Sequence, residues 1–172
     1  MRIISGAFGG RVLSAPHGHK THPMSDKIRG AMFNTLGDIY GLTVLDAFAG
    51  SGAIGLEAIS RGAGEVIAID SDKNAHQTML QNAQNLGVKN YKAIRANVSS
   101  WQQNNPNKVF DVIIADPPYN SVPSGTIQNL VAALNKDGLF VISLPPKSDL
   151  KINGLSLITS KNFGDAALYF YR

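Results

Sequence analysis

The sequence predicts a doubly wound α/β domain on a mostly parallel, seven-stranded sheet, and three observations carry that expectation. Short, continuously apolar runs such as Thr43–Ala47 and Phe110–Ala115 read as strands buried on both faces. Between such runs lie segments with apolar residues at helical spacing, separated by Gly, Pro and Asn. Only the last two strand-like runs follow each other too closely for a helical crossover, so an antiparallel pair is expected at the end of the sheet.

Composition sets the outer bounds. The chain has 172 residues, 44% hydrophobic and 16% charged, enough for one soluble domain with its own core. The absence of cysteine excludes disulfides, zinc ribbons, iron–sulfur clusters and thiol nucleophiles, and fits a reducing, cytoplasmic setting. No apolar run approaches the ~18 residues of a membrane span. Gly6, Gly9, Gly10 and Arg11 interrupt the N-terminal segment, so it does not read as a signal peptide. The formal net charge is +4, and the excess is concentrated early. Arg2, Arg11, Lys20, Lys27 and Arg29 face the single acid Asp26 there, among His17, His19 and His22. Such an excess either attracts a phosphate backbone or simply solvates a face.

The elements follow in chain order. Residues 2–5 and 11–15 read as two short strands around a glycine-rich turn. Ser25 is a suitable N-cap for a helix carrying Ile28, Ala31, Met32, Thr35, Leu36 and Ile39 on one face, stopped by Gly41. Thr43–Ala47 is a strand, a helix is expected from about Gly52 to Arg61, and Glu65–Asp70 is the next strand. Ala75, Met79, Ala83 and Leu86 mark a helix closed by Gly87, before a third strand at Tyr91–Arg95. Phe110–Ala115 is the most apolar run. A helix over about Thr126–Leu134 and strands at Leu139–Leu144, Leu155–Thr159 and Ala166–Tyr171 complete the pattern. Residues 1–40 form a short basic extension of hairpin plus helix packed on the core, and residues 41–172 form the main unit, effectively one domain.

Two segments carry chemistry. Asp46-Ala47-Phe48-Ala49-Gly50-Ser51-Gly52-Ala53-Ile54-Gly55 contains G-x-G-x-x-G between a strand and a helix, with Asp70 ending the following strand. That spacing suits a nucleotide-like ligand whose ribose hydroxyls meet Asp70. A nicotinamide enzyme is one reading. Asp46 argues for another, because a carboxylate at the mouth of the turn repels a pyrophosphate and suits a cationic ligand such as S-adenosylmethionine. Asp116-Pro117-Pro118-Tyr119 follows a buried strand, at the carboxyl edge where ligands of such sheets bind. The Asp116 carboxylate and the Pro117 carbonyl are acceptors for the N–H bonds of an amine, freeing its lone pair for attack. Pro118 stiffens the loop and offers no competing donor, and Tyr119 supplies a ring face for a base. No metal is required, and His17, His19 and His22 lack carboxylate or thiolate company for one.

Arg2-Ile3-Ile4-Ser5-Gly6, the run Thr21-His22-Pro23-Met24-Ser25-Asp26-Lys27-Ile28-Arg29 leading into Ala31-Met32-Phe33-Asn34, Asp46–Gly52 and Asp116–Tyr119 together resemble the RsmD-type methyltransferases. The resemblance extends to the closing Phe163-Gly164-Asp165 and Tyr169-Phe170-Tyr171. It implies a Rossmann-like, class I S-adenosylmethionine-dependent methyltransferase acting on the exocyclic N2 of a guanine in 16S ribosomal RNA. It further implies a cofactor site of Asp46, Phe48, Ala49, Gly50, Ser51, Gly52, Asp70, Ser71, Asn97 and Val98, with Met24 and Ser25. Asp116, Pro117, Pro118 and Tyr119 are then the catalytic corner, and Arg2, Arg11, Lys20, His22, Lys27 and Arg29 the RNA contacts. The implied partner is small-subunit ribosomal RNA or its ribonucleoprotein particle, with no membrane and a monomeric protein. Three positions depart from the family pattern: His22 replaces an Arg, Met24 a Thr, and Asn97 an Asp that meets the adenine amine. Asn97 is expected to accept instead through its amide oxygen. The same loop chemistry also suits adenine N6 or a glutamine side-chain amide, and an idle RNA-binding assembly protein is the non-enzymatic alternative.

Overall fold

The computed structural model describes residues 1–16, 24–119 and 124–172. In chain order its elements are α1 (Asp26–Leu36), β1 (Thr43–Ala47), α2 (Ala53–Ser60), β2 (Glu65–Asp70), α3 (Lys73–Leu86), β3 (Tyr91–Arg95), α4 (Val98–Asn104), β4 (Phe110–Ala115), α5 (Ser124–Val131), β5 (Leu134–Leu144), β6 (Leu157–Phe163) and β7 (Ala166–Tyr171). The seven strands form one sheet in the order β3-β2-β1-β4-β5-β7-β6. From β3 to β5 every pairing is parallel, while β7 runs antiparallel to both β5 and β6. The order reverses direction between β1 and β4, which makes their carboxyl ends the topological switch point where ligands of open α/β sheets bind.

Alternation along the strands splits the core into two layers. Val44, Val66, Ala68, Val112 and Ile114 point to the layer shared with Met32, Phe33, Leu56 and Met79 of α1, α2 and α3. Leu45, Ile67, Ile69, Ile113 and Ile142 point the other way, onto Val98 of α4 and Ile127 and Leu130 of α5. Helices thus cover both faces, as continuous apolar strands require.

Several expectations need correction. The N-terminal strand pair reduces to a single antiparallel bridge, Arg2 with Val12, because glycines and turn backbone fill the space between. Helix α1 ends at Leu36 rather than at Gly41: Gly37 takes φ 77°, a left-handed value that glycine adopts freely, and its N–H closes on the Phe33 carbonyl at 3.1 Å. Helix α4 had no counterpart among the expected elements. Its sequence is polar, but Asn97 caps it and Val98 and Trp101, three residues apart, meet the second core layer. Helix α5 is shorter than expected, β5 starts five residues earlier through an irregular register, and β6 extends to Phe163.

The N-terminal segment is held against α2 by buried polar contacts. The fully buried Glu57 carboxylate accepts from the backbone N–H of Ile4 (2.7 Å) and Ser5 (3.1 Å) and from Arg61 Nε (2.8 Å). Ser60 Oγ accepts from Phe8 N at 2.9 Å and donates to the Ser5 carbonyl at 2.5 Å.

Candidate active site

The turn after β1 begins with Phe48, whose φ of 70° is a left-handed value costing roughly 1 kcal/mol for a residue bearing Cβ. Gly50 (φ 55°) and Gly52 (φ 79°) continue the bend into α2. A Cβ on Gly52 would stand 2.3 Å from the Tyr91 hydroxyl, so glycine is required here by space as well as by conformation. Gly52 offers α2 no side-chain cap, and Asp46 supplies one from β1: its Oδ2 accepts from Gly55 N at 2.9 Å. Its other oxygen, Oδ1, is buried with no partner among the described residues, and so is the Tyr91 hydroxyl.

Strand register sets three carboxylates around this turn. Asp46 pairs with Ala68 of β2 on one side and Ile114 of β4 on the other. Asp70 and Asp116 therefore each lie two residues further toward the carboxyl edge, on the neighbouring strands. Strand spacings put each Cα roughly 8 Å from that of Asp46. No ion pair engages any of the three among the described residues. Burial, with Asp116 and Asp70 nearby, pushes Asp46 up to about 7. Burial likewise raises Asp116 to about 6, opposed by a hydrogen bond from Ser143. Asp46, raised in part by its two acidic neighbours, stands with them at an edge whose chemistry suits a cation.

Asp70 bridges the two loops of this edge, with Oδ2 accepting from Gly50 N and Oδ1 from Asp72 N, both at 2.8 Å. Each oxygen keeps a lone pair for a further donor. Ser71 is exposed and its carbonyl accepts from Arg95 Nε at 3.4 Å. In the opposite corner Pro117 is buried while Pro118 and Tyr119 are exposed, Tyr119 at 40%. The Tyr119 hydroxyl lies 2.9 Å from Ser143 Oγ.

The other expected site residues differ in their surroundings. Arg29 does not face a phosphate: it is fully buried, with Nη2 donating to Asp26 Oδ1 at 2.9 Å and to the Arg2 carbonyl, and Nη1 to the Met24 carbonyl at 3.3 Å. Its Nε lies 3.8 Å from Glu57, so the guanidinium offsets a buried carboxylate that would otherwise stand uncompensated. Asn97 Oδ1 is already occupied as the cap of α4, accepting from Ser99 N (2.9 Å) and Ser100 N (3.4 Å), so an adenine amine would have to compete for it. Val98 opens α4 as a buried core residue. Ser25 caps α1 by accepting from Ile28 N at 3.3 Å, and Met24 packs on the first core layer. Ala49 and Ser51 lie buried in the turn. Arg2, Arg11 and Lys27 are exposed, Arg2 lying 3.6 Å from Asp26. Lys20 and His22 fall outside the described residues, as do His17 and His19.

Two residues escaped sequence reasoning. Asn82 of α3, almost completely buried, accepts from Ser14 N at 2.9 Å and donates to the carbonyls of Ser14 and Ser51, each at 3.0 Å. It ties the chain following the N-terminal turn to the glycine turn, and Ser51 Oγ also donates to Met1 Sδ at 3.3 Å. The other is Ser143. Each works across a long sequence separation, which no local pattern announces.

Comparisons with known proteins agree with this fold. The family described as Conserved hypothetical protein 95 matches residues 1–172. Ribosomal RNA small subunit methyltransferase D of Buchnera aphidicola is 37% identical over 119 residues, which are 69% of this chain and 62% of that relative's length. YlbH of Bacillus subtilis is 31% identical over 181 residues, covering 100% of this chain and 98% of that protein. The solved structure of Escherichia coli yhhF superposes with a TM-score of 0.89 at 30% identity, covering 99% of this chain and 96% of the other.

Proposed function

This chain belongs to the RsmD-type family, and from that premise we propose that it transfers a methyl group from S-adenosylmethionine to the exocyclic N2 of a guanine in small-subunit ribosomal RNA. The observation that carries the reading is the pair of acidic corners, Asp46 with its glycine turn and Asp116 with its prolines, flanking one switch point between β1 and β4.

The residues present fit such a cofactor. The orphaned Asp46 Oδ1 and the unpaired charge of the three carboxylates suit its cationic end, and the free lone pairs of Asp70 suit ribose hydroxyls. When bound, the cofactor supplies a methyl group on a sulfonium, open to attack by a nitrogen lone pair. The chain does the rest. The Asp116 carboxylate and the Pro117 carbonyl accept the two N–H bonds of the target amine, which draws its lone pair out of conjugation with the ring. Tyr119 stacks the base after it leaves its helix. Holding nitrogen and methyl carbon in line then supplies much of the acceleration. The proton released by the amine passes to Asp116 or onward to water.

In this reading residues 1–40 are the RNA-facing extension, with Arg2, Arg11, Lys20, His22 and Lys27 as its contacts, and residues 41–172 hold the cofactor and carry out transfer. The substrate is the RNA, naked or within its particle, and the protein acts as a monomer. Incubation with methyl-labelled S-adenosylmethionine and small-subunit RNA lacking this modification is expected to label the RNA. Label absent from the RNA, with NAD rather than S-adenosylmethionine raising the melting temperature, would overturn the reading.

A further inference from the structure

We infer that Ser143 of β5 is a positioning residue for the transfer corner, its hydroxyl tying the Tyr119 ring to the Asp116 carboxylate. The inference rests on the methyl-transfer reading above and adds a residue to it. Strand β5 lies beside β4 with Ile142 opposite Ala115, so Ser143 comes level with Asp116 where β4 ends. The side chain is 3% exposed and its Oγ sits 2.9 Å from the Tyr119 hydroxyl. The same hydroxyl is near enough to act on the Asp116 carboxylate, favouring its ionised form.

A serine hydroxyl has one proton to give. An ionised Asp116 can only accept, so Ser143 donates to Asp116 and must accept from Tyr119. The chain of bonds therefore runs in one direction, from Tyr119 to Ser143 to Asp116. Two things follow. The Tyr119 ring is fixed by its far end, with its face left for a base. Asp116 stays ionised, as an acceptor of amine N–H bonds must, although burial works against it. The charged groups that face this arrangement are Asp46 from β1, whose own carboxyl Asp116 helps to raise, and Asp165 between β6 and β7, which with Asp116 raises Tyr119.

Ser143→Ala, Ser143→Thr and Tyr119→Phe test the inference. For Ser143→Ala, kcat is expected to fall roughly 10²-fold, the cost of a small misplacement of reacting groups, while S-adenosylmethionine affinity measured by calorimetry stays within about twofold. Removing a bond that favours the ionised form moves the acid limb of the pH–rate profile to higher pH. Carbon-13 NMR of the Asp116 carboxyl is expected to show the same upward displacement without any turnover. Ser143→Thr keeps a hydroxyl and is expected to restore both. Tyr119→Phe keeps the ring and the Ser143–Asp116 bond, so it lowers kcat less and leaves the Asp116 titration in place; it stands in if Ser143→Ala fails to fold. An Asp116 titration and pH profile unmoved in Ser143→Ala, or equal loss of kcat and cofactor affinity without rescue by Thr, overturns the inference. A wild-type protein that transfers no methyl group overturns the parent reading instead, and the NMR titration still decides the role of Ser143.

Discussion

Asp46 is doing two jobs that pull in opposite directions. As the cap of α2 it accepts a backbone N–H, which favours the ionised carboxylate, yet its complete burial beside Asp70 and Asp116 raises it from 3.8 to about 7. The native state therefore holds a proton that the unfolded chain releases near its ordinary value. Stability from this group is greatest below about pH 4, declines as pH rises toward 7 and is flat beyond. Asp46→Asn keeps the acceptor for Gly55 and removes the charge. At pH 8 the unliganded variant is expected to melt on the order of 10 °C higher than wild type, with little difference at pH 4. An equal offset at both pH values in a calorimetric scan would show that the charge is not its source. The proposed cationic cofactor reverses the logic: the charge that costs stability in the empty fold would be the one to hold it, so wild-type affinity is expected to rise with pH where that of the variant does not.

Between elements, the important links are polar and non-local. Asn82 bonds Ser14 and Ser51 from α3, and Glu57 and Ser60 of α2 hold the backbone from Ile4 to Phe8. Asn82→Ala would leave the buried Ser51 carbonyl without its partner and free the backbone of exposed Ser14, a loss of roughly 1–3 kcal/mol. Chemical denaturation is expected to show that loss. Cofactor affinity should fall with it, since the Ser51 carbonyl belongs to the glycine turn; a variant of wild-type stability would mean that water replaces the amide without cost. These links also explain what could be read from the chain beforehand. Strands β1, β2, β3, β4 and β7 matched expectation residue for residue because each is a short apolar run between clear turn signals. The Asp46, Asp70 and Asp116 corners were legible because each sits at or just past the carboxyl end of a strand, so their place at the sheet edge comes from topology alone. Helix α4 was missed because its polar sequence offers only Val98 and Trp101 to the core. Arg29 was misread because charge pattern does not reveal that Glu57, 28 residues on, is buried against it. Ser143 and Asn82 gave no local signal at all.

At the scale of the molecule, the proposed function gives separate work to the basic side chains and the acidic corners. Arg2, Arg11 and Lys27 are exposed on the N-terminal side, while the switch point collects carboxylates. In the proposed function the exposed cations attract a phosphate backbone and the carboxylates hold the cationic end of the cofactor. Replacing Arg2, Arg11 and Lys27 by Ala is expected to weaken RNA binding and flatten its salt dependence by about one unit of slope per lost contact, leaving cofactor affinity unchanged. Arg29→Ala is expected to lower stability instead, and a salt slope that changed only in that variant would contradict the division.

The most direct test of the shared site is nucleoside mass spectrometry of small-subunit RNA treated with S-adenosylmethionine and either wild-type protein or Asp116→Ala. The account expects N2-methylguanosine with wild type and none with the variant, which should still bind the cofactor. N6-methyladenosine in its place, or N2-methylguanosine formed equally by both proteins, would contradict it.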